Sequence, residues 1–478
     1  EEEEAAGLRA SAAWDWMMCD EGHKLKNPQA QVVRRLRAVP CVCRCILTGT
    51  PVQNNLSEMW ALFDFTTKGL LGTAQEFRVE FERPITVGQS RDASERQREV
   101  GAATARALRK KIQPVFLRRE KSKVLAAGEA AAEAGEAGEE GAPASPAPPP
   151  MPLPQKLGRK NDMIVWVRLS PAQRRLYLAF LGSPSVRAAL SKAASPLAAI
   201  STLKKICEHP ALLNERAAAE ASAAWDGGAP APDLRAPDAS SKVSLAAALV
   251  RRLAAGGHRT LVFSQSRGVL DAVEAAAGAA GLALCRIDGS LGADERQARV
   301  ERFKADDSIP LFLLTSQVGG LGLTLTEADR VVIMDPAWNP STDNQAVDRA
   351  YRIGQARDVV VYRLVTCGTV EEKIYRKQVF KGALSKTGTE EGADAMRYFS
   401  QTDLSELFKA DAGAFEASDT QRQMELVHSG ERDASEETHA EIAEVSAMPG
   451  VAGVSDHNLL FSKPDDTKAG PGERKGAD

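Results

Sequence analysis

Thr260-Leu261-Val262-Phe263-Ser264 is the first of five short apolar runs between residues 259 and 366; Leu284 to Ile287, Leu311 to Leu314, Val331 to Met334 and Val359 to Val365 come after it. Each is rich in β-branched or large aliphatic side chains, the composition of a strand buried on both faces. Segments of helical period separate several of them. Between Asp294 and Phe303, for example, Val300 and Phe303 can face inward while Glu295, Arg296 and Glu301 face water. Strand and helix in alternation predict an α/β fold with a parallel sheet. Upstream, Trp16 to Cys19 and Cys45 to Leu47 read as two further strands, each ending in polar residues. The carboxyl ends of such strands are where an open α/β sheet places its ligand.

The chain has 478 residues, enough for about three compact units. No apolar run approaches the roughly 18 residues a membrane helix needs, so no membrane partner is expected. Seven cysteines without regular spacing fit a reducing compartment better than a disulfide framework. The net charge of -3 averages unlike segments: Glu1 to Glu4, a stretch from 125 to 155 with five Glu and no Lys or Arg, and a tail from 410 to 478 with 15 acids against 6 bases. Without them the remainder carries about +15, a footprint that suits a polyanion. The stretch 125 to 155, which runs through Pro148-Pro149-Pro150, has the Ala, Gly, Glu and Pro composition of a linker. Residues 214 to 240 are similarly loose, and beyond about 410 the chain is polar and acidic without periodicity.

Two constellations succeed the upstream strands. Asp20-Glu21-Gly22-His23 puts adjacent carboxylates at a strand end, where one can hold Mg²⁺ through water while the other orients and deprotonates an attacking water. A lone Asp-Glu pair is more often a solvated turn, and the context some 27 residues downstream decides between the two. There Leu47-Thr48-Gly49-Thr50-Pro51-Val52-Gln53-Asn54-Asn55-Leu56 turns tightly after the next strand, with small hydroxyl and Gly residues beside a ligand site; an ordinary capped turn is the alternative. Cys41, Cys43 and Cys45 alternate as in a strand and lack a second ligand pair at zinc-finger spacing. His209 reads as a core or capping histidine.

Together these two segments resemble motifs II and III of the Swi/Snf branch of the superfamily-two helicases. The distal half resembles the second-lobe motifs in the family's order: Leu261-Val262-Phe263-Ser264-Gln265, Arg286-Ile287-Asp288-Gly289-Ser290, Thr315-Ser316-Gln317-Val318-Gly319-Gly320-Leu321-Gly322-Leu323, Asp335-Pro336-Ala337-Trp338-Asn339-Pro340, and Gln345 to Gln355 as motif VI. Shorter cues, such as Leu71-Gly72-Thr73 and Arg397-Tyr398-Phe399-Ser400, resemble the excision-repair cross-complementing six-like group with the Polo-kinase-interacting checkpoint helicase. The resemblance covers roughly 14 to 124 and 156 to 408. It implies two RecA-like lobes closing over Mg²⁺-ATP, with Asp20 supporting the metal, Glu21 activating water, and Arg349 and Arg352 completing the site. It implies nucleotide contacts at His23, Gly320, Gly322 and Gln355. It implies DNA contact or coupling at Thr48, Gly49, Thr50, Gln53, Asn54, Ser264, Gln265, Arg286, Thr315, Gln317, Gly319 and Asn339. Trp338 stays open between a core aromatic and a DNA-groove contact. Double-stranded DNA is the implied partner, with chromatin, repair or mitotic proteins besides, in the nucleus.

A full enzyme of this kind needs a Gly-rich phosphate loop ending in Gly-Lys-Thr or Gly-Lys-Ser. These 478 residues hold none. The sequence therefore reads as a motor truncated before that loop, with an incomplete first lobe over 1–124, a disordered insertion over 125–155, an inter-lobe helical region over 156–240, a second lobe with its brace over 241–408 and a disordered acidic tail over 409–478. A DNA-dependent ATPase that translocates on duplex DNA is the expected parent activity. A non-hydrolysing DNA-binding or scaffolding module is the alternative.

Overall fold

A computed structural model describes residues 14–49, 56–90, 93–119, 157–191, 193, 195–223, 233–234, 239–317, 322–376, 404–410, 413–427 and 435–458. The insertion over 125–155 lies outside the described residues. The fold is α/β, with strands in two sheets.

The first sheet pairs β1 (Trp14–Cys19) with β2 (Cys41–Ile46) in parallel, through α1 (Gln31–Ala38). One face packs Met17, Cys19 and Ile46 against Leu25, Val33, Leu62 and Phe65, the last two on α2 (Leu56–Thr66). The opposite face leaves Trp14, Trp16 and Met18 more than half exposed. Two strands cannot bury both faces by themselves, and among the described residues this second face has no cover. A second core of the same region joins α2 to α3 (Glu95–Ile112) through Leu56, Met59, Phe77, Phe81, Leu108 and Ile112. Ser94 caps α3 reciprocally with Gln97.

The second sheet has seven strands in the order β5 (Leu284–Ile287), β6 (Leu311–Thr315), β4 (Thr260–Ser264), β7 (Arg330–Ile333), β8 (Val359–Thr366), β3 (Lys160–Val167) and β9 (Val451–Asp456). All pairings are parallel except that of β9 with β3. Alternate residues serve two cores. Val262, Leu313, Val332 and Leu364 meet α8 (Ser241–Ala255) and α9 (Arg267–Ala279). Leu261, Phe312, Val331 and Val361 meet α10 (Ala293–Ala305) and α11 (Pro340–Val347). The five runs of the decisive stretch are all strands, within one residue of the expected limits.

Three boundaries change. Lys160–Val167, expected in an inter-lobe helical region, is a strand of the second sheet, because Met163 to Val167 are buried between β8 and β9. The rest of that region is helical: α4 (Pro171–Leu181), α5 (Pro184–Leu190), α6 (Pro196–Glu208) and α7 (Glu215–Ala223) share a core with Val370, Ile374 and Phe415. Helix α7 therefore occupies the start of the stretch expected to be loose, while residues 224–232 and 235–238 lie outside the described residues. The acidic tail is also folded in part. Helix α12 (Glu436–Ser446) buries Ile442 and Val445 on the sheet, and β9 adds an antiparallel edge. Its acid Glu441 receives Arg330 Nη2 at 2.7 Å and Nε at 2.9 Å and the Tyr362 hydroxyl. One acid of the tail is thus spent on a buried pair and not on solvation.

Candidate functional site

The carboxyl ends of β1 and β2 are drawn together when Leu47 N–H donates to Cys19 O at 2.9 Å and Gly22 N–H donates to Leu47 O at 2.9 Å. A Cβ on Gly22 would lie 2.2 Å from Ile46 Cγ2, so any other residue there would force the Ile46 side chain to move. Glu21 sits just before it at φ 49° and ψ 44°, among the described residues the one non-glycine with positive φ. A Glu costs about 1 kcal/mol or more there, and such strain persists where the surroundings impose a geometry. Its N–H donates to Oδ1 of the exposed Asp20 at 2.8 Å.

His23 Nδ1 lies 3.2 Å from Glu21 Oε2 and 3.4 Å from Thr48 Oγ1. The structure thus joins the acidic pair to the turn after β2 through one imidazole. Burial lowers the His23 pKa, and Lys24 and Lys26 add to this against Glu21 and Glu58. Both contacts fall on Nδ1, so in a neutral ring that nitrogen either donates to Glu21 Oε2 or accepts from the Thr48 hydroxyl. Gly49 is exposed at the same turn, and Thr50, Gln53 and Asn54 lie outside the described residues.

In the second lobe the strand ends converge likewise. Ser316 N–H donates to Ser264 O at 2.9 Å, and Gln265 N–H donates to both oxygens of Asp335 at 3.1 and 3.2 Å. Ser264 and Thr315 are buried beside this junction, and Gln317 is exposed just past it. Gly319 and Gly320 lie outside the described residues. Asn339 caps α11 by accepting from Ser341 N–H at 3.1 Å. Trp338 is 46% exposed, which removes it from the core.

Arg349 is buried, with Nη1 donating to Leu323 O at 3.4 Å and Nε lacking a partner among the described residues. Burial lowers its pKa, and the like charge of Arg352 adds to this; Asp348 and, from the first lobe, Glu21 act against it. Arg352 Nη1 reaches Gly322 O at 3.4 Å, and Gly322 has φ +75°. Two guanidinium groups within each other's field, one with an unanswered N–H, suit an anion with several oxygens. The residues present therefore fit a nucleotide's terminal phosphate. They also fit Mg²⁺, which takes one or two carboxylates and fills its other positions with water and phosphate oxygens; Asp20 supplies one. No group of three or more metal-ligating side chains occurs among the described residues.

Two expected site residues are occupied elsewhere. Arg286 is enclosed by Asp271 and Glu274 at 2.6 Å and Asp288 at 3.0 Å, so its charge is answered before any DNA phosphate arrives. Gln355 is buried; its amide donates to Thr326 O at 3.0 Å, Ala328 O at 2.8 Å and Ala350 O at 3.3 Å, which fixes motif VI and leaves nothing for a nucleotide. Conversely, Lys204, Lys242 and Asp343 surround the Trp338 loop, and sequence reasoning passes over all three as site residues. Lys242 was detectable: it falls on the apolar stripe of α8 with Ala246, Leu249 and Leu253.

An SNF2-related domain matches residues 3–131 and a helicase conserved C-terminal domain matches residues 241–354, half of the chain between them and in the family's order. The chain belongs to the Swi/Snf family. Protein CHROMATIN REMODELING 24 of Arabidopsis thaliana is 45% identical over 471 residues, covering 94% of this chain and 41% of that protein. DNA excision repair protein ERCC-6-like of Homo sapiens is 42% identical over 466 residues, covering 94% and 37%. The chain spans less than half the length of these relatives. Among solved structures, the Sulfolobus solfataricus SWI2/SNF2 ATPase core in complex with dsDNA is 25% identical with a TM-score of 0.39, covering 80% of this chain and 71% of that one.

Beneath the second-lobe junction three buried acids, Glu208, Asp335 and Glu371, share two lysines, Lys204 and Lys242. Burial, then Asp335, raises Glu208 to about 8 against the pull of Lys204. Burial raises Asp335 as well. A carboxyl raised on folding favours the folded state at low pH, and that contribution disappears as pH rises through the folded value. The melting temperature should therefore fall from about pH 4.5 to about pH 8 and level off above that, and Glu208→Gln should flatten the fall. Thermal melts of both proteins across that range check this; equal slopes would place the proton elsewhere.

Proposed function

We propose that the chain is the acid- and arginine-bearing part of an ATP-dependent motor that moves along double-stranded DNA, in DNA repair or chromosome segregation in the nucleus. The observation that carries the reading is the buried Arg349, whose Nε has no partner among the described residues, beside Arg352. Asp20 would hold Mg²⁺ through water, and Glu21 would orient and deprotonate the attacking water. Arg349 and Arg352 would answer charge on the γ-phosphate. Bound Mg²⁺-ATP supplies the transferable phosphoryl group. His23 between Glu21 and Thr48 gives nucleotide state a route to the turn after β2, and thereby to DNA.

Phosphate contacts by the basic remainder of the chain imply salt-sensitive, largely sequence-independent duplex binding. Relatives named for chromatin remodelling and excision repair support chromatin or repair proteins as further partners. Strand separation is not part of the proposal. A blunt duplex should stay paired in a strand-displacement assay with ATP while a triplex-displacement assay reports movement; unwinding of the blunt duplex would refute duplex translocation.

A further inference from the structure

The loop from Asp335 to Asn339 carries the Trp338 indole, and buried side chains from several elements grip its backbone. Lys242, on α8, is 1% exposed; it donates to Met334 O at 2.7 Å and pairs with Glu371 Oε2 at 2.7 Å. Lys204, on α6, donates to Pro336 O at 3.2 Å, and Gln265 Nε2 reaches the same oxygen at 3.2 Å. On the other side the Asp343 carboxylate accepts from Ala337 N–H at 3.2 Å and faces Arg363 at 3.7 Å.

Loops usually satisfy their backbone with water or with their own turns. A neutral donor would serve these carbonyls at far lower desolvation cost than an ammonium group. What one buried and one partly buried ammonium group add is stiffness, because charge-assisted hydrogen bonds are shorter and stronger than neutral ones. Ala337, whose N–H is held by Asp343, immediately precedes the half-exposed indole. The effect of the grip is to fix where that indole points.

We propose that Lys204, with Lys242, is a positioning residue that holds the Trp338 loop so that the indole meets bound duplex DNA. This rests on the DNA reading proposed for the chain. Lys204 is the residue to test, since its side chain is 18% exposed, Lys242 keeps its pair with the fully buried Glu371, and Glu208, 4.0 Å from Lys204, has a raised pKa that lets it take up a proton when the lysine is removed.

The experiment is a double-mutant cycle on the full chain with a fluorescein-labelled duplex, read by anisotropy. Lys204→Met and Trp338→Ala should each weaken binding about tenfold, and the double variant should be at most about twofold weaker than either. Lys204→Arg should restore binding. Multiplying effects, or a Lys204→Met chain that binds like the unsubstituted one, would overturn the proposal. A second readout needs no DNA: the acrylamide quenching of Trp338, isolated by difference against Trp338→Phe, should change in Lys204→Met and recover in Lys204→Arg. No change would overturn the clamp. If the unsubstituted chain fails to bind duplex, the DNA reading falls, and quenching alone then upholds or overturns the clamp.

Discussion

Replacement of Arg349 by Ala in the native protein is expected to lower DNA-stimulated ATP turnover about 10³-fold or more while duplex affinity stays within about twofold. Arg349 is buried beside Arg352 with Nε unanswered among the described residues, and Glu21 of the other lobe already acts on it. A guanidinium held in that way without an anion is destabilised until negative charge arrives, and the terminal phosphate supplies it. Arg349→Lys should recover little, because an ammonium cannot reproduce the planar fork. Phosphate release at saturating DNA, with anisotropy alongside, checks both halves of the expectation. Equal loss of affinity would mean that Arg349 serves DNA and not nucleotide.

Arg363→Met should unfold the second lobe more readily by about 3–5 kcal/mol, which for a domain of this size lowers the melting temperature by roughly 10 °C. Arg363 Nε donates to Asp162 Oδ1 at 2.7 Å and Nη2 to Oδ2 at 2.9 Å, joining β8 to β3, and neither side chain is more than 3% exposed. The substitution strands a buried carboxylate. Burial alone would raise the Asp162 carboxyl, but Arg363, with His457 and Lys160, outweighs it and holds the group well below the usual range. A depressed carboxyl contributes stability that is present at neutral pH and disappears as pH falls through the folded value, so the pair should fail only in strong acid. Urea denaturation of Arg363→Met and of Asp162→Asn/Arg363→Met tests this. The double variant should recover part of the loss, since it removes the Asp162 charge that Arg363→Met strands, while Asp343, 3.7 Å from Arg363, loses that neighbour in both variants.

The strands from Thr260 to Val365 were legible in the sequence because each is a short apolar run with turn residues on both sides. Asp20, Glu21, Arg349 and Arg352 stood out in the sequence only because the segments around them follow the order of the Swi/Snf motifs; alone, such pairs are more often a solvated turn or helix face. Strand β3 was not assigned because its partner β8 lies about 200 residues away and nothing local marks a parallel pairing. The tail misled through its charge: Ile442, Val445, Val451 and Val454 are too sparse to announce a helix and an edge strand, although the sheet supplies the missing partners. Arg286 and Gln355 show the complementary limit. Their residue types suit a polyanion site, but whether a guanidinium or amide is free depends on neighbours such as Asp271, Glu274 and Ala328 that only the fold assembles.

The central claim is that Glu21 and Arg349 act on one nucleotide in response to duplex DNA. Its most direct test is phosphate release by the native protein and by its Glu21→Gln variant, with and without double-stranded DNA. The account predicts turnover that rises with duplex and is lost in Glu21→Gln while DNA binding persists. Turnover that survives Glu21→Gln, or its absence from the unsubstituted protein despite tight duplex binding, would contradict it.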